Sequence, residues 1–248
     1  MAVSPRGPFP AQIDYLRRKT ELPTARWDDL LRDGHDRAFT VAGMASADML
    51  ADVHRSVTAA VARGATIDEW QAEFEHVAAS WIGEGSDAQR AWRARVILDT
   101  NVRTSYAAGK WQEFQAGAKD RPYLMWHHSD SVMDPRPEHV AWDGRVVHIS
   151  DPWLRTHYPP NGFGCQCWMT AHSEAEVKAN GWTVVSPPPD EGGVDPGWDY
   201  APGRTLIDDA TIEAKRRSLP ARIADGFMGY VRNIWRSVAG IFGRDRGG

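Results

Sequence analysis

The sequence of 248 residues has little or nothing of the features that define several broad classes of protein. It has only 2 cysteines, Cys165 and Cys167, and thiols two residues apart cannot close a useful loop, so a disulfide scaffold is excluded. No apolar run reaches the roughly 18 residues of a membrane helix, so we expect no membrane-spanning segment. Residues 1–10 contain three prolines and no apolar stretch, so we expect no secretion signal and an intracellular product.

Common enzyme signatures are also missing from the sequence. It has no phosphate-binding glycine loop followed by Lys-Ser or Lys-Thr, no Gly-x-Ser-x-Gly and no His-Glu-x-x-His. Their absence does not exclude catalysis, but it favours a protein that is not an enzyme, and we expect no catalytic residues.

Large apolar side chains are abundant. The chain is 42% hydrophobic and has 12 tryptophans, which excludes a wholly disordered protein. The tryptophans are scattered, and the surroundings of Trp142, Trp153 and Trp168 are acidic, which disfavours contact with nucleic-acid phosphates. We expect these aromatic side chains to form the core or to anchor protein contacts.

The hydrophobic pattern predicts an α+β protein with a helical N-terminal half. Apolar residues after Thr24 recur at helical spacing as far as Phe39, which predicts a helix there. Ser46 and Gly64 are typical of the start and end of a second helix, and residues 66–69 form a capping box for a third. A long helix is expected from Asp87 through Phe114.

The second half changes to short segments that suit β-strands. These are residues 123–128, 145–149, 165–170 and 182–186, and a short helix is expected at 173–180. The predicted domains are a helical domain (1–118), a small α+β module with few short strands (119–186), a Pro/Gly-rich arm (187–204) and a basic amphipathic helical tail (205–248). We expect the arm to lie on the surface and not to pack as a layer.

The charge of −4 is unevenly distributed along the chain. Residues 121–210 carry 6 basic and 13 acidic side chains, whereas residues 211–248 carry 8 basic and 3 acidic ones. A basic amphipathic segment after a Pro/Gly-rich arm favours a docking role for the tail. The candidate partner-binding residues are Phe227, Val231, Arg232, Trp235 and Arg236.

Titratable side chains are dense between His127 and Cys167. Two thiols at this spacing on a strand face the same side, and a zinc ion could use both, with His139, His148 or His157 as a further ligand. The candidate metal ligands are His139, Cys165 and Cys167. Two alternatives stay open: Cys165 acts as a nucleophile with a histidine as its base, or the cysteines are small buried apolar residues without chemistry.

Several phrases of the sequence together resemble a known family. They are 94–104 (ARVILDTNVRT) with 106–109 (YAAG), 136–139 (RPEH) with 142–144 (WDG), 151–153 (DPW) with 157–167 (HYPPNGFGCQC), and 197–203 (GWDYAPG). In their order and spacing the chain resembles the phage Mu protein F-like minor head proteins, also described as phage head morphogenesis proteins. One departure is Gln166, where the family usually has Arg between the cysteines.

The resemblance implies a structural role without a reaction. The expected function is that of a phage minor head protein in head morphogenesis, portal association and DNA packaging or delivery. Its expected partners are portal and capsid proteins, with packaged double-stranded DNA a further candidate through the basic tail. The expected location is the host cytoplasm during assembly and then the virion head or neck. No cofactor is implied apart from the candidate zinc.

Two other classes of function remain as alternatives. One is a metal- or thiol-dependent hydrolase that uses His139, Cys165 and Cys167. The other is a membrane-surface protein that uses a helix over 221–242, although we expect no stable membrane association because the polar face of that helix lacks a lysine cluster.

Overall fold

The computed structural model describes residues 8–77, 86–188 and 190–204, which all fall in one compact unit, Met1–Thr205. Its helices are α1 (Pro10–Arg18), α2 (Asp33–Arg37), α3 (Ala47–Arg63), α4 (Ile67–Val77), α5 (Asp87–Gly117), α6 (Pro137–Ala141), α7 (Leu154–His157) and α8 (Glu174–Ala179). Its strands are β1 (Thr20–Glu21), β2 (Ala38–Phe39), β3 (Tyr123–His127), β4 (Val146–His148) and β5 (Trp168–His172). The mixed α+β class is confirmed for these residues. The predicted tail lies outside them, together with its candidate partner-binding residues Phe227, Val231, Arg232, Trp235 and Arg236.

Side-chain caps fix the ends of the main helices where the sequence predicts them. The Ser46 hydroxyl accepts the Met49 N–H at 3.3 Å, and α3 ends at Gly64 in the left-handed conformation. At the start of α4, the Glu69 carboxylate accepts the Thr66 N–H at 2.8 Å, while the Thr66 hydroxyl accepts the Glu69 N–H at 3.3 Å. The helices that these caps predict are therefore confirmed.

The prediction of a single helix between Thr24 and Phe39 is wrong. This segment contains a 3-10 turn at Trp27–Asp29, the five-residue α2 and then β2, which pairs in parallel with β1. Arg32 has a φ of 54°, which no α-helix accommodates, so the helical path is interrupted there. Leu30 and Phe39 of this segment are buried, whereas Trp27 and Leu31 are exposed, so the apolar spacing does not mark one face of a helix.

The α+β module contains a small antiparallel sheet with the strand order β4-β3-β5. Tyr123 pairs with His148 on one side and with His172 on the other, and the β3–β5 register continues to His127 opposite Trp168. The segment predicted as a strand at 182–186 contributes only an isolated bridge between Val184 and Val146.

The long helix α5 takes part in two apolar clusters. Its first half contributes Ala94 and Leu98 to a cluster with α3 and α4, in which Trp70 is fully buried. Its second half contributes Trp111 and Phe114 to a cluster with the sheet. The α+β module therefore packs against α5, which holds it to the helical half. Among the described helices, none is long and apolar enough to cross a membrane.

Candidate functional site

Two cysteines and one histidine meet beside the small sheet. Cys165 and Cys167 lie in the loop just before β5, so the strand predicted over 165–170 begins only at Trp168. The Cys165 N–H donates to the Gly162 carbonyl at 3.2 Å, which makes this loop a tight turn. His139 comes from α6, which begins with a proline at a position where the absent N–H needs no partner.

The distances between these side chains are short. His139 Nδ1 lies 3.7 Å from Cys165 Sγ and 3.6 Å from Cys167 Sγ, and the three atoms lie within 4.8 Å of one another. His139 and Cys165 are buried, and Cys167 is partly exposed. The structure therefore brings together the three predicted candidate ligands, and one nitrogen and two sulfur atoms can hold a metal ion.

The other two histidines that the sequence leaves open are engaged elsewhere. His148 Nδ1 lies 2.7 Å from the Ser150 hydroxyl. His157 Nε2 lies 3.1 Å from the Gly192 carbonyl, while its Nδ1 lies 2.8 Å from the Thr156 hydroxyl. Burial lowers the pKa of His157, which favours a neutral ring that donates to the carbonyl and accepts from the hydroxyl.

His128 is a neighbour of the cluster that sequence reasoning did not select. It follows β3 directly, and its Nδ1 lies 3.9 Å from Cys167 Sγ. Its N–H donates to the Asp143 carboxylate at 2.9 Å, which fixes the backbone at this point. Because His127 pairs with Trp168 in an antiparallel register, the next pair along the two chains is His128 with Cys167. The β3–β5 register therefore identifies His128 as a neighbour of Cys167, but only when the pairing of these two strands is known.

The two thiols influence each other's ionisation. The pKa of Cys165 is lowered well below its usual value because the Cys167 thiol donates to its thiolate. The pKa of Cys167 is raised because it holds the proton that it shares with Cys165 and because it is partly buried. Cys165 is thus the first of the pair to become a thiolate.

Two histidines hold consecutive carbonyls of the Pro/Gly-rich arm. The Nε2–H of His139 donates to the Gly193 carbonyl at 2.7 Å, and His157 donates to the neighbouring Gly192. Because His139 donates its ring N–H to the arm, its Nδ1 faces the two thiols as an unprotonated nitrogen.

Two ion pairs fasten the same stretch of the arm. Arg136 forms a bidentate pair with Asp195, with Nε 3.0 Å from Oδ1, and Arg145 pairs with Glu191 through both terminal nitrogens. The arm over 190–204 has no helix or strand, but it is held across the α+β module by both side-chain and backbone contacts. Arg136 and His139, which belong to the RPEH phrase of the sequence, both bind the arm.

Aromatic rings close the site on the side of the core. Trp126, Trp142 and Trp153 are fully buried. The His139 ring stacks on Trp142 with ring centres 5.1 Å apart, and the His157 ring stacks on Trp153 at 4.8 Å. Such contacts fix the orientation of both imidazoles. These three tryptophans are core residues, which accounts for part of the unusual tryptophan content.

The family of the chain follows from comparison with known proteins. Residues 51–170 match the family model described as phage Mu protein F-like protein. This range includes His128, His139, Cys165 and Cys167. The chain thus belongs, through these residues, to the phage Mu protein F-like family, as the phrases of the sequence indicate.

Two curated relatives extend the similarity. The chain is 32% identical over 199 residues to the "Putative capsid assembly protein F" of Escherichia phage Mu, an alignment that covers 74% of this chain and 45% of that protein. It is 31% identical over 174 residues to the "Mu-like prophage FluMu F protein" of Haemophilus influenzae, covering 66% of this chain and 41% of that protein. The chain therefore spans less than half the length of these relatives. No solved structure matches it.

Proposed function

We propose that this protein is a phage minor head protein that acts in head assembly. The observation that carries the proposal is the 32% identity over 199 residues to a relative named as a capsid assembly protein. The alignment is longer than the range matched by the family model, so the similarity is not confined to the signature phrases. On this proposal the protein is present in the host cytoplasm during assembly and then in the virion head or neck.

Exposed aromatic side chains supply a surface for head proteins. We define the aromatic cleft by the exposed Trp27, Trp92 and Phe163 together with the buried Trp198, which line a cavity of about 400 Å³. Trp92 is 64% exposed, and the Trp27 and Phe163 rings meet edge to face with centres 6.1 Å apart. Solvent-exposed clusters of this kind are typical of protein interfaces, where tryptophan contributes much of the binding energy. We propose that an apolar side chain of a capsid or portal protein occupies the aromatic cleft.

The tail is proposed to dock on the portal or to contact packaged double-stranded DNA. The support comes from its sequence, in which residues 211–248 carry 8 basic and 3 acidic side chains beside an apolar stripe from Ile223 to Phe242. In the proposed contact, the apolar side chains are those of Phe227, Val231 and Trp235, and the basic side chains are those of Arg232 and Arg236.

The proposed role includes no chemical reaction. A thiol-dependent hydrolase would need a nucleophile that a substrate can reach, and Cys165 is only 3% exposed. Burial of this thiol favours a structural part for the pair over the alternative of catalysis. Assembly of heads with normal yield by a Cys165→Ser variant that folds would show that assembly needs no catalysis by this thiol, and release of a hydrolysed product by the purified protein would contradict the proposal.

The decisive experiment is incorporation into heads. Phage that carries a variant gene is grown, heads are purified on a density gradient, and the protein in them is measured by immunoblot against the capsid protein. Deletion of residues 205–248 should abolish incorporation, and the double variant Trp27→Ser/Trp92→Ser should reduce it at least about tenfold if the cleft supplies about 1.4 kcal/mol of binding energy or more.

A matched control separates the cleft from general surface apolarity. Met133 is also a large apolar residue and is fully exposed, so Met133→Ser should leave incorporation unchanged. Normal incorporation of the deletion variant would refute the role of the tail. Normal incorporation of a folded Trp27→Ser/Trp92→Ser variant would refute the role of the aromatic cleft.

A further inference from the structure

We infer that His128, His139, Cys165 and Cys167 bind a single Zn²⁺ ion, which stabilises the α+β module. The inference concerns the folded chain alone and does not depend on the proposed role in head assembly. It adds a fourth ligand, His128, to the three candidates that the sequence predicts, and it assigns the metal a structural part.

The separations between the ligand atoms fit a tetrahedral zinc site. Zinc lies about 2.3 Å from a thiolate sulfur and about 2.0–2.1 Å from an imidazole nitrogen, so two such ligands at the tetrahedral angle are about 3.5 Å apart. His139 Nδ1 lies 3.7 Å from Cys165 Sγ and 3.6 Å from Cys167 Sγ. These two nitrogen–sulfur separations differ from the expected one by about 0.2 Å or less, so His139 and either thiolate can bind the same ion.

His139 is oriented and protonated as a metal ligand requires. A ligating imidazole commonly donates its second ring N–H to a carbonyl or carboxylate, which fixes the ring and leaves the other nitrogen free to bind the ion. The Nε2–H of His139 donates to the Gly193 carbonyl at 2.7 Å, so Nδ1 is the unprotonated nitrogen that faces both thiols. The ring is also stacked on Trp142, which prevents it from turning away.

His128 is placed to complete the coordination. Its Nδ1 lies 3.9 Å from Cys167 Sγ, about 0.4 Å beyond the separation of two ligands of one zinc ion. His128 lies outside the group of three side chains whose ligand atoms are all within 4.8 Å of one another, so its partly exposed ring must rotate to bring the nitrogen to the ion. The Asp143 carboxylate holds the His128 N–H, so the backbone keeps the ring next to Cys167.

The chemistry of the donors selects the metal. Two thiolates and two imidazoles are soft or borderline ligands, which favour zinc over magnesium or calcium, and a Cys₂His₂ set is common in structural zinc sites. The four residues come from three separate segments: the end of β3, the helix α6 and the loop before β5. One ion therefore joins these segments, and through His139 it also supports the contact with the arm.

The alternative is a three-ligand site with an open position. Cys167 and His128 border a cavity of about 570 Å³ that is also lined by Arg103 and Tyr106. A zinc ion held by His139 and the two cysteines could bind water on that side and would then be suited to hydrolysis. His128 decides between these arrangements, so it is the residue to test.

The first experiment measures metal in the full chain. Protein purified without chelator, from cells supplied with zinc, should contain about one zinc per chain by mass spectrometry of the metal. Cys165→Ser and Cys167→Ser should contain almost none, whereas His148→Ala, which changes a histidine of the same module outside the cluster, should keep it. Absence of zinc from the wild-type protein, together with no binding when zinc is added to the reduced protein, would overturn the inference.

The second experiment uses cobalt in the wild-type chain and therefore does not depend on a variant that folds. Co²⁺ added to the reduced, metal-free protein should give the visible bands of a tetrahedral ion and a thiolate charge-transfer band. Azide should leave the spectrum unchanged in the wild type and shift it in His128→Ala, where the fourth position is open. An azide-sensitive wild-type spectrum that His128→Ala leaves unaltered would overturn the assignment of His128.

Discussion

The contact of the arm with the α+β module can be tested by adding one methyl group. Gly193 has a φ of 75°, and a Cβ built there would lie 2.5 Å from Trp142 Cη2 and 2.8 Å from the Glu138 Cβ. Gly193→Ala therefore introduces backbone strain of about 1–2 kcal/mol and a clash with a fully buried ring. Overpacking of a tight site costs a further 1–3 kcal/mol or so, because neither the indole nor the α6 backbone can move freely.

The neighbouring Gly192 is a matched control. It also has a positive φ, of 90°, but a Cβ there would meet nothing within 4 Å, so Gly192→Ala carries the backbone strain without the clash. We expect Gly193→Ala to lower the free energy of unfolding by about 2–5 kcal/mol and Gly192→Ala by about 1–2 kcal/mol. Urea unfolding followed by tryptophan fluorescence measures both. Equal losses for the two variants would show that the arm does not lie against Trp142.

Three further predictions concern a buried and an exposed tryptophan, the buried Lys19, and the partly exposed Arg136–Asp195 ion pair. Trp153→Ala, which empties the site of a fully buried indole, should lower the free energy of unfolding by about 3–5 kcal/mol, whereas Trp92→Ala at an exposed position should change it by less than about 0.5 kcal/mol. Burial lowers the pKa of Lys19 from 10.5 to about 8, so the folded state loses its proton first, and stability should rise by about 3 kcal/mol as the pH increases between these values. A stability–pH curve for Lys19→Met should lack that rise, and an identical curve would refute the assignment. Asp195→Ala, which removes the bidentate partner of Arg136, should cost about 1–2 kcal/mol by thermal or urea unfolding; no measurable loss would show that this ion pair does not hold the arm.

Local signals in the sequence were sufficient for the long helices. Ser46, Thr66 and Ser86 each accept an N–H from the first turn that follows, and this interaction depends only on neighbours in sequence. The helix predicted from Thr24 to Phe39 is wrong because the same apolar spacing is equally compatible with separate short elements, some of whose apolar residues are exposed. Pairing of β2 with β1 is a contact across the chain that the spacing does not encode.

The candidate site was predicted in composition but not in arrangement. Cys165 and Cys167 are adjacent enough in sequence to be recognised as a pair, whereas the choice of His139 over His148 and His157 depends on where α6 and the strands lie. His128 belongs to the dense group of titratable residues but is not among the predicted ligands, because its proximity to Cys167 follows from the β3–β5 register.

The arm also combines a property that the sequence predicts with contacts that only the fold sets. Its prolines and glycines exclude a regular helix or strand, because proline lacks an N–H and glycine has a large conformational entropy, and that much is a property of the residues. Its attachment to the module depends on the fold, because the residues that bind it are 35 to 59 positions away in sequence. Arg136 pairs with Asp195, His139 donates to Gly193, and His157 donates to Gly192.

The amino-acid sequence by itself therefore determines the short-range properties of this chain, because each depends on residues a few positions apart. These properties are its helix caps, its family phrases and the paired thiols. The fourth candidate ligand, the burial of Cys165 and the contact of the arm with the module come from the fold, because they depend on distances between segments that only packing of the apolar clusters sets.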